Sequence, residues 1–162
     1  MARDRSTISI LVVEDEALPR LDLVETPSSA GYEVLEAIDA DQALGYLRNR
    51  FPIDVVITDI DLGAGLTGWD IAETFRAARS DIPIIYISGV AGDQRRRVPG
   101  SVFFAKPCRP LDILKVCRGL SGAERPAKRN VSVSELPDPE PRVDSEDSAP
   151  RQSRLTRQAR AN

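Results

Sequence analysis

Four short apolar runs, each ending at a polar or charged residue, constrain the fold of this chain more than any other feature of its sequence. The runs are rich in β-branched residues and nearly continuous, which is typical of strands in a parallel sheet that is covered on both faces. They are Ile8–Val13, Val55–Ile57, Ile82–Ile87 and Val102–Ala105. A fifth segment, Tyr32–Ala37, alternates apolar and polar residues more and is predicted to be an edge strand.

Helix start signals lie between these runs. Asp39 with Gln42 three residues later resembles a capping box, and Thr67 with Asp70 is a second such signal. Pro110 suits the first turn of a last helix. Five strands alternating with helices predict an α/β fold, namely a doubly wound five-stranded parallel sheet with right-handed crossovers.

Two segments are awkward for regular helices. Pro19 suits the first turn of the first helix, whereas Pro27 has no amide hydrogen to donate and should end or kink that helix early. Few apolar residues lie between Ser88 and Val102, so the fourth helix is predicted to be short or irregular. Trp69 is expected to be a partly exposed packing residue at the start of the third helix.

The composition changes near residue 121. Residues 122–162 contain no Ile, Phe, Tyr or Trp, and they hold five prolines. Such a segment cannot bury enough apolar surface to offset the entropy lost on ordering it. The sequence therefore predicts one folded domain at residues 1–121 and a disordered Pro-, Arg- and Ser-rich tail at residues 122–162.

Charge and residue usage exclude several classes of function. The 22 basic and 25 acidic residues give a net charge of −3, which argues against a strongly basic nucleic-acid binder. The chain has no histidine, which excludes a histidine-ligated zinc site and a Ser-His-Asp triad. Two cysteines cannot form a disulfide framework. With neither a long apolar stretch nor a signal-peptide pattern, a cytoplasmic protein without membrane contact is expected.

Polar residues follow the predicted strands at their carboxyl ends, where open α/β sheets bind ligands. These residues are Glu14 and Asp15, Asp59, Ser88 and Lys106. Three neighbouring carboxylates require a cation, and Mg²⁺ prefers such oxygen ligands. A carboxylate can also act as a nucleophile and form an acyl phosphate, whose oxygens Mg²⁺, an ammonium and a hydroxyl can neutralise.

Four segments in this order resemble the receiver domain of two-component response regulators, and the resemblance covers about residues 7–121. They are Leu11–Glu16, Asp54–Asp59, Ile84–Gly89 and Phe103–Pro107. The resemblance implies a flavodoxin-like receiver fold. It also implies a protein that takes a phosphoryl group from a phosphohistidine and then shifts between two conformations.

The resemblance also implies a role for each site residue. Asp59 is similar to the phosphoryl acceptor of the family. Glu14 and Asp15 are similar to the acidic pair that holds Mg²⁺, together with Asp59 and the backbone carbonyl of Asp61. An acidic side chain at Asp61, beside the acceptor, is expected to affect the lifetime of the phosphoryl group.

Three further positions match residues that respond to phosphorylation in the family. Ser88 resembles the hydroxyl that moves to the phosphoryl group, and Lys106 resembles the lysine that pairs with it. The Lys106–Pro107 peptide bond is expected to be cis. Phe103 lies where the family often places a rotating aromatic ring, although a core role is an equal alternative for it.

The expected partners are a sensor histidine kinase or histidine phosphotransfer protein and a downstream protein target, without direct DNA binding. A stand-alone receiver without an output domain is expected, and no enzymatic activity beyond its own phosphorylation and dephosphorylation. The alternatives are a pseudo-receiver that binds partners without phosphorylation and a phosphatase in which Asp61 is a second carboxylate. A nucleotide or flavin binder is disfavoured because no glycine-rich loop follows the first strand.

Overall fold

The computed structural model describes residues 7–89 and 94–120, which form one parallel sheet with helices on both faces. The predicted tail at residues 122–162 lies outside the described residues. In chain order the elements are β1 (Ser9–Val13), α1 (Ala17–Ser29), β2 (Glu33–Ala37), α2 (Ala40–Arg48), β3 (Val55–Asp59), α3 (Gly68–Ala78), β4 (Ile84–Ser88), a 3-10 turn (Gln94–Arg96), β5 (Val102–Ala105) and α4 (Pro110–Leu120).

The five strands are all parallel and lie in the order β2-β1-β3-β4-β5, which confirms the predicted doubly wound sheet. Tyr32–Ala37 was predicted to be an edge strand, and β2 does lie at one edge of the sheet. Strands β1, β3 and β4 are buried along their whole length, because helices cover both faces.

Alternate residues along each strand enter two separate cores, as the strand period of two requires. Leu11 and Val56 pack on one face with α2 and α3, whereas Ile10 and Ile57 pack on the other with α1 and α4. Because all five strands are parallel, their carboxyl ends meet at one edge of the sheet, between these two helical layers.

Both predicted helix start signals are present in the structure. The Asp39 carboxylate accepts a hydrogen bond from the Gln42 amide at 2.8 Å, and the Gln42 side chain accepts one from the Ile38 amide. The Asp70 carboxylate accepts from both the amide and the hydroxyl of Thr67, each at 2.7 Å. These bonds satisfy donors that a helix start leaves without partners.

The prediction that Pro27 ends or kinks α1 early is wrong. The helix continues through Pro27 to Ser29, and Pro27 is buried in its last turn. A proline removes only one helical hydrogen bond, and here few bonds remain beyond it to be lost. The Pro27 carbonyl also accepts from the amides of Ala30 and Tyr32, which stabilises the chain reversal into β2.

The described part of the segment between β4 and β5 contains only a 3-10 turn at Gln94–Arg96, as the prediction of a short or irregular fourth helix requires. Val98 anchors this segment in the core, and the hydroxyl of the buried Tyr86 accepts a hydrogen bond from the Val98 amide. Across residues 7–89 and 94–120, no helix combines the length and apolar character that crossing a membrane requires.

Candidate functional site

The polar residues that follow four of the strands lie together at the carboxyl edge of the sheet. Glu14 follows β1 and is completely buried, Asp59 ends β3 and is 6% exposed, and Ser88 ends β4. Lys106 follows β5 and is joined to β4 by a 2.8 Å hydrogen bond from its amide to the Ser88 carbonyl. The adjacency of strands that are far apart in sequence thus brings these side chains to one site.

The Lys106 ammonium lies between two buried carboxylates. Its Nζ is 2.9 Å from Glu14 Oε2 and 2.5 Å from Asp59 Oδ2. The Lys106–Pro107 peptide bond is cis, as the resemblance implied. The contacts with Glu14 and Asp59 direct the Lys106 ammonium into the site, whereas most surface lysines point into solvent.

Three carboxylates share this site with one ammonium. Oxygen atoms of Glu14, Asp15 and Asp59 all lie within 4.8 Å of one another. Asp15 is the exposed member of the group, and its carboxylate lies against Gly63 in the loop after β3. Three negative charges and one positive charge leave the group net negative and suited to a cation.

Burial and charge shift the protonation of two of these groups. Burial raises the pKa of the Glu14 carboxyl above its ordinary value of 4.5, and the nearby charge of Asp59 raises it further, against the hydrogen bond from Lys106. Burial lowers the pKa of Lys106, but its hydrogen bonds to Asp59 and Glu14 raise it more, so the pKa is raised overall. The ammonium remains charged at neutral pH, and the buried Glu14 carboxylate depends on it.

The donor set matches a hard divalent cation. Mg²⁺ takes oxygen ligands in octahedral geometry and usually keeps several water molecules beside one or two carboxylates. Two buried carboxylates and one exposed carboxylate leave the solvent side available to water and to a further oxygen ligand. Asp61, whose carbonyl was predicted as a ligand, is adjacent, and its amide donates to Asp59 Oδ1 at 3.2 Å.

The loop after β3 depends on a glycine that the sequence analysis did not single out. A Cβ atom at Gly68 would lie 2.0 Å from the carbonyl oxygen of Asp59, so only glycine allows α3 to begin this close to β3. The Gly68 amide donates to the Ile60 carbonyl at 2.9 Å. Its place at the predicted start of a helix, nine residues after Asp59, was the available signal.

Arg20 is a second residue that the sequence analysis missed. Its Nη1 donates to the backbone carbonyls of Glu14 at 2.8 Å and Asp15 at 3.2 Å, and its Nε lies 3.5 Å from the Glu36 carboxylate. The guanidinium therefore holds the backbone of the acidic pair from the first turn of α1. An arginine five residues after an acidic pair is too common a pattern to have identified it.

Two aromatic residues near the site differ in burial, since Trp69 is buried and Phe103 is half-buried. Trp69 was expected to be partly exposed, and this is wrong, because it is 8% exposed and its ring lies 4.5 Å from that of Tyr86. The close approach of Gly68 to β3 brings the following Trp69 against the sheet. Phe103 is half-buried on β5, opposite Tyr86, and packs against the same core.

Comparisons with known proteins agree with this geometry. The family model of the response regulator receiver domain matches residues 10–117. A response regulator receiver protein from Sinorhizobium medicae has a similar crystal structure, with a TM-score of 0.69 and 31% identity, over 72% of this chain and 96% of that one. The receiver domain of HemR from Leptospira biflexa has a TM-score of 0.64 and 27% identity, over 74% and 98% of the two chains.

Curated relatives are longer proteins. A probable transcriptional regulatory protein of Picosynechococcus is 33% identical over 68% of this chain, and a probable transcriptional regulator of Guillardia theta is 34% identical over 64%. The chain spans 48% and 41% of their respective lengths. The match therefore concerns the receiver portion that they share with this chain. On the family match and the sheet topology together, the chain belongs to the response regulator receiver domains of two-component signalling.

Proposed function

We propose that Asp59 accepts a phosphoryl group from a phosphohistidine on a sensor kinase or phosphotransfer protein, and that Mg²⁺ assists the transfer. The observation that carries this proposal is the position of the Lys106 ammonium between the buried carboxylates of Glu14 and Asp59. In the transfer, an Asp59 carboxylate oxygen forms a bond to phosphorus while the bond from phosphorus to the imidazole nitrogen breaks. The imidazole nitrogen keeps the electron pair of that bond.

The side chains around Asp59 supply what this transfer requires. Glu14, Asp15, Asp59 and the backbone carbonyl of Asp61 would hold Mg²⁺, which when bound neutralises phosphoryl oxygens. Lys106 already contacts Asp59 and is placed to pair with a phosphoryl group attached there. We assign the Ser88 hydroxyl as a donor to the same group and Phe103 as the aromatic residue that responds to it.

The surface beside Lys106 is suited to a protein donor. A cleft of about 500 Å³ lies between α1 and the start of α4, and its lining is mainly apolar, including Pro19, Ile87 and Pro107. Leu18 at this cleft is 78% exposed, and the nearby Leu111 is 61% exposed. Exposed leucines around a cleft mark a contact site for a partner, here the protein that brings the phosphohistidine to Asp59.

The test is intact-mass measurement after incubation with a small acyl-phosphate donor and Mg²⁺. The parent chain is expected to gain one labile phosphoryl group, and Asp59→Asn is expected to gain none, because the amide oxygen is a far weaker nucleophile. Omission of Mg²⁺ is expected to abolish the gain or slow it strongly.

Asp61→Asn is the matched control, since it removes a carboxylate two residues from the acceptor. It is expected to gain the phosphoryl group as the parent does, whereas a phosphatase that needed Asp61 to protonate the leaving group would gain it far more slowly or not at all. A folded parent chain without any mass gain would refute the acceptor role of Asp59. That outcome would support a module that binds partners without phosphorylation.

A further inference from the structure

Arg96, the last residue of the 3-10 turn Gln94–Arg96, bonds to two carboxylates of α3. Arg96 Nε and Nη2 donate to the two carboxylate oxygens of Glu73 at 3.0 and 2.9 Å, and Nη2 also donates to Asp70 Oδ1 at 2.8 Å. Paired bonds from a guanidinium to a carboxylate combine charge with fixed geometry. We call the contacts of Arg96 with Asp70 and Glu73 the α3 clasp.

Asp70 connects the clasp to the first turn of α3. Its other oxygen, Oδ2, accepts from the amide and the hydroxyl of Thr67, so one carboxylate holds both Arg96 and the helix start. The hydrogen bond from Arg96 is the largest cause that lowers the pKa of Asp70, to about 2. At neutral pH the carboxylate is therefore charged and engaged on both sides.

The start of α3 is in close contact with the backbone of Asp59. Gly68 follows Thr67, and its α-carbon lies so close to the Asp59 carbonyl that no Cβ fits between them. The Thr58 hydroxyl donates to that same carbonyl at 2.7 Å. The Gly68 α-carbon and the Asp59 carbonyl are backbone atoms in close contact. A shift of the start of α3 would therefore move the Asp59 carbonyl or break its contacts.

From this series of contacts we infer that Arg96 is a positioning residue for Asp59, acting through Asp70 and the start of α3. The inference rests on the proposed function, because it assigns Arg96 a part in the reaction of that acceptor. Arg96 does not touch the reacting atoms, and its contribution is to hold α3 where the Asp59 carboxylate has the geometry for transfer. The 3-10 turn Gln94–Arg96 thereby becomes part of the support of Asp59.

The test compares Arg96→Gln with Arg97→Gln. Arg97 is the matched control, because its hydrogen bonds run to Gln94 and Ser101 within its own segment. Arg96→Gln is expected to slow phosphoryl gain from a small acyl-phosphate donor about fivefold at saturating donor, with little change in the donor concentration for half-maximal rate. Arg97→Gln is expected to remain within about twofold of the parent's rate, because the bonds it removes do not reach α3 or β3.

Two further variants separate geometry from charge. Arg96→Lys keeps the charge but cannot bind both carboxylates in the same fork, so an intermediate rate is expected. Glu73→Gln weakens the clasp and leaves the bond of Asp70 to Thr67 intact, so it serves if Arg96→Gln does not fold. A folded Arg96→Gln variant with the parent's rate would overturn the positioning role while leaving the proposed function intact.

Hydrogen exchange distinguishes failure of this inference from failure of the proposed function. The amides of Ile60, Asp61 and Gly68 are expected to exchange faster in Arg96→Gln than in Arg97→Gln, whether or not a phosphoryl group is present. If the parent chain gains no phosphoryl group, the proposed function fails, and the α3 clasp is then judged on exchange alone. Equal exchange in the two variants would overturn the clasp as a support of the Asp59 backbone.

Discussion

A single buried carboxylate, Glu14, sets the balance between a stable fold and a charged site. It has no exposed surface, it contacts Lys106, and the charge of Asp59 lies beside it. Burying charge is costly unless a partner compensates, and here one ammonium serves two carboxylates. The proposed Mg²⁺ would supply the remaining compensation. The buried negative charge is therefore expected to lower the stability of the metal-free protein and to raise its affinity for a cation.

The raised pKa of Glu14 makes the stability of the metal-free protein depend on pH. Because the folded protein holds the Glu14 proton more tightly than the unfolded chain does, the contribution of Glu14 to the free energy of unfolding falls as pH rises from about 4.5 through the raised value. Glu14→Gln is expected to remove this contribution and to be more stable than the parent above that window without metal. Urea unfolding across a pH series measures both.

Asp70 serves as an internal comparison in that series. Its pKa is lowered to about 2, so its contribution is present above its ordinary value of 3.8 and is lost only as pH falls toward 2. The two windows do not overlap. A Glu14→Gln variant with the parent's pH dependence above 4.5 would contradict the assignment of the raised pKa to burial of Glu14.

At the scale of elements, strands and helix starts could be predicted from the sequence, whereas tertiary contacts decided the rest. The β-branched runs predict the strands, and the carboxylates of Asp39 and Asp70 predict the two helix starts that they stabilise. The prediction for Pro27 failed because the proline lies in the last turn, where few helical hydrogen bonds remain to be lost and where its ring is buried. Trp69 was misjudged because its burial follows from how closely Gly68 approaches β3, a distance that no local pattern encodes.

Gly68→Ala tests that close approach. An added methyl group would lie 2.0 Å from the Asp59 carbonyl oxygen, so the start of α3 or the end of β3 must move. The variant is expected to lose about 1–3 kcal/mol in the free energy of unfolding, the usual effect of forcing atoms into a packed region. Its rate of phosphoryl gain is expected to fall as well, and chemical denaturation with intact-mass kinetics measures the two effects.

Gly119→Ala is the matched control within α4. Among residues 7–89 and 94–120, no atom outside the nearby backbone of α4 lies within 4 Å of a Cβ atom at Gly119, so the alanine is expected to stabilise the helix by about 0.5–1 kcal/mol. Opposite signs for the two substitutions would establish that position, and not the loss of glycine itself, causes the effect. Equal stability of the parent and Gly68→Ala would refute the close contact.

At the scale of the whole molecule, the sheet order explains why the site residues could be identified but their contacts could not. Parallel strands place all carboxyl ends at one edge, so the sequence order of Glu14, Asp59, Ser88 and Lys106 already implied proximity. The distances depend on strand register and on the helices outside the sheet. Arg20 and Arg96 act from those helices and turns, where the sequence shows basic residues without a motif that would assign them a contact.

Mg²⁺ binding is expected to stabilise the whole fold, because the proposed ligands come from separate strands and converge only in the folded chain. At free Mg²⁺ about ten times its dissociation constant, the gain is about 1.4 kcal/mol, seen as a raised melting temperature. Glu14→Gln and Asp59→Asn are expected to lose this gain, whereas Asp41→Asn, at an exposed acid of α2, retains it. A melting temperature of the parent that is independent of Mg²⁺ would argue against a metal site.

The lysine of the site lies late in the chain, so the site can form only when most of the chain has been synthesised and folded. Lys106 lies 92 residues from Glu14 and 47 residues from Asp59, and it follows the last strand to join the sheet edge. During synthesis, Asp59 is complete long before its ammonium partner exists, and closing so long a loop costs entropy that only the assembled sheet offsets. The proposed phosphoryl transfer is therefore expected only after β5 has joined the sheet, and chains that end before Lys106 are expected not to react with a phosphoryl donor.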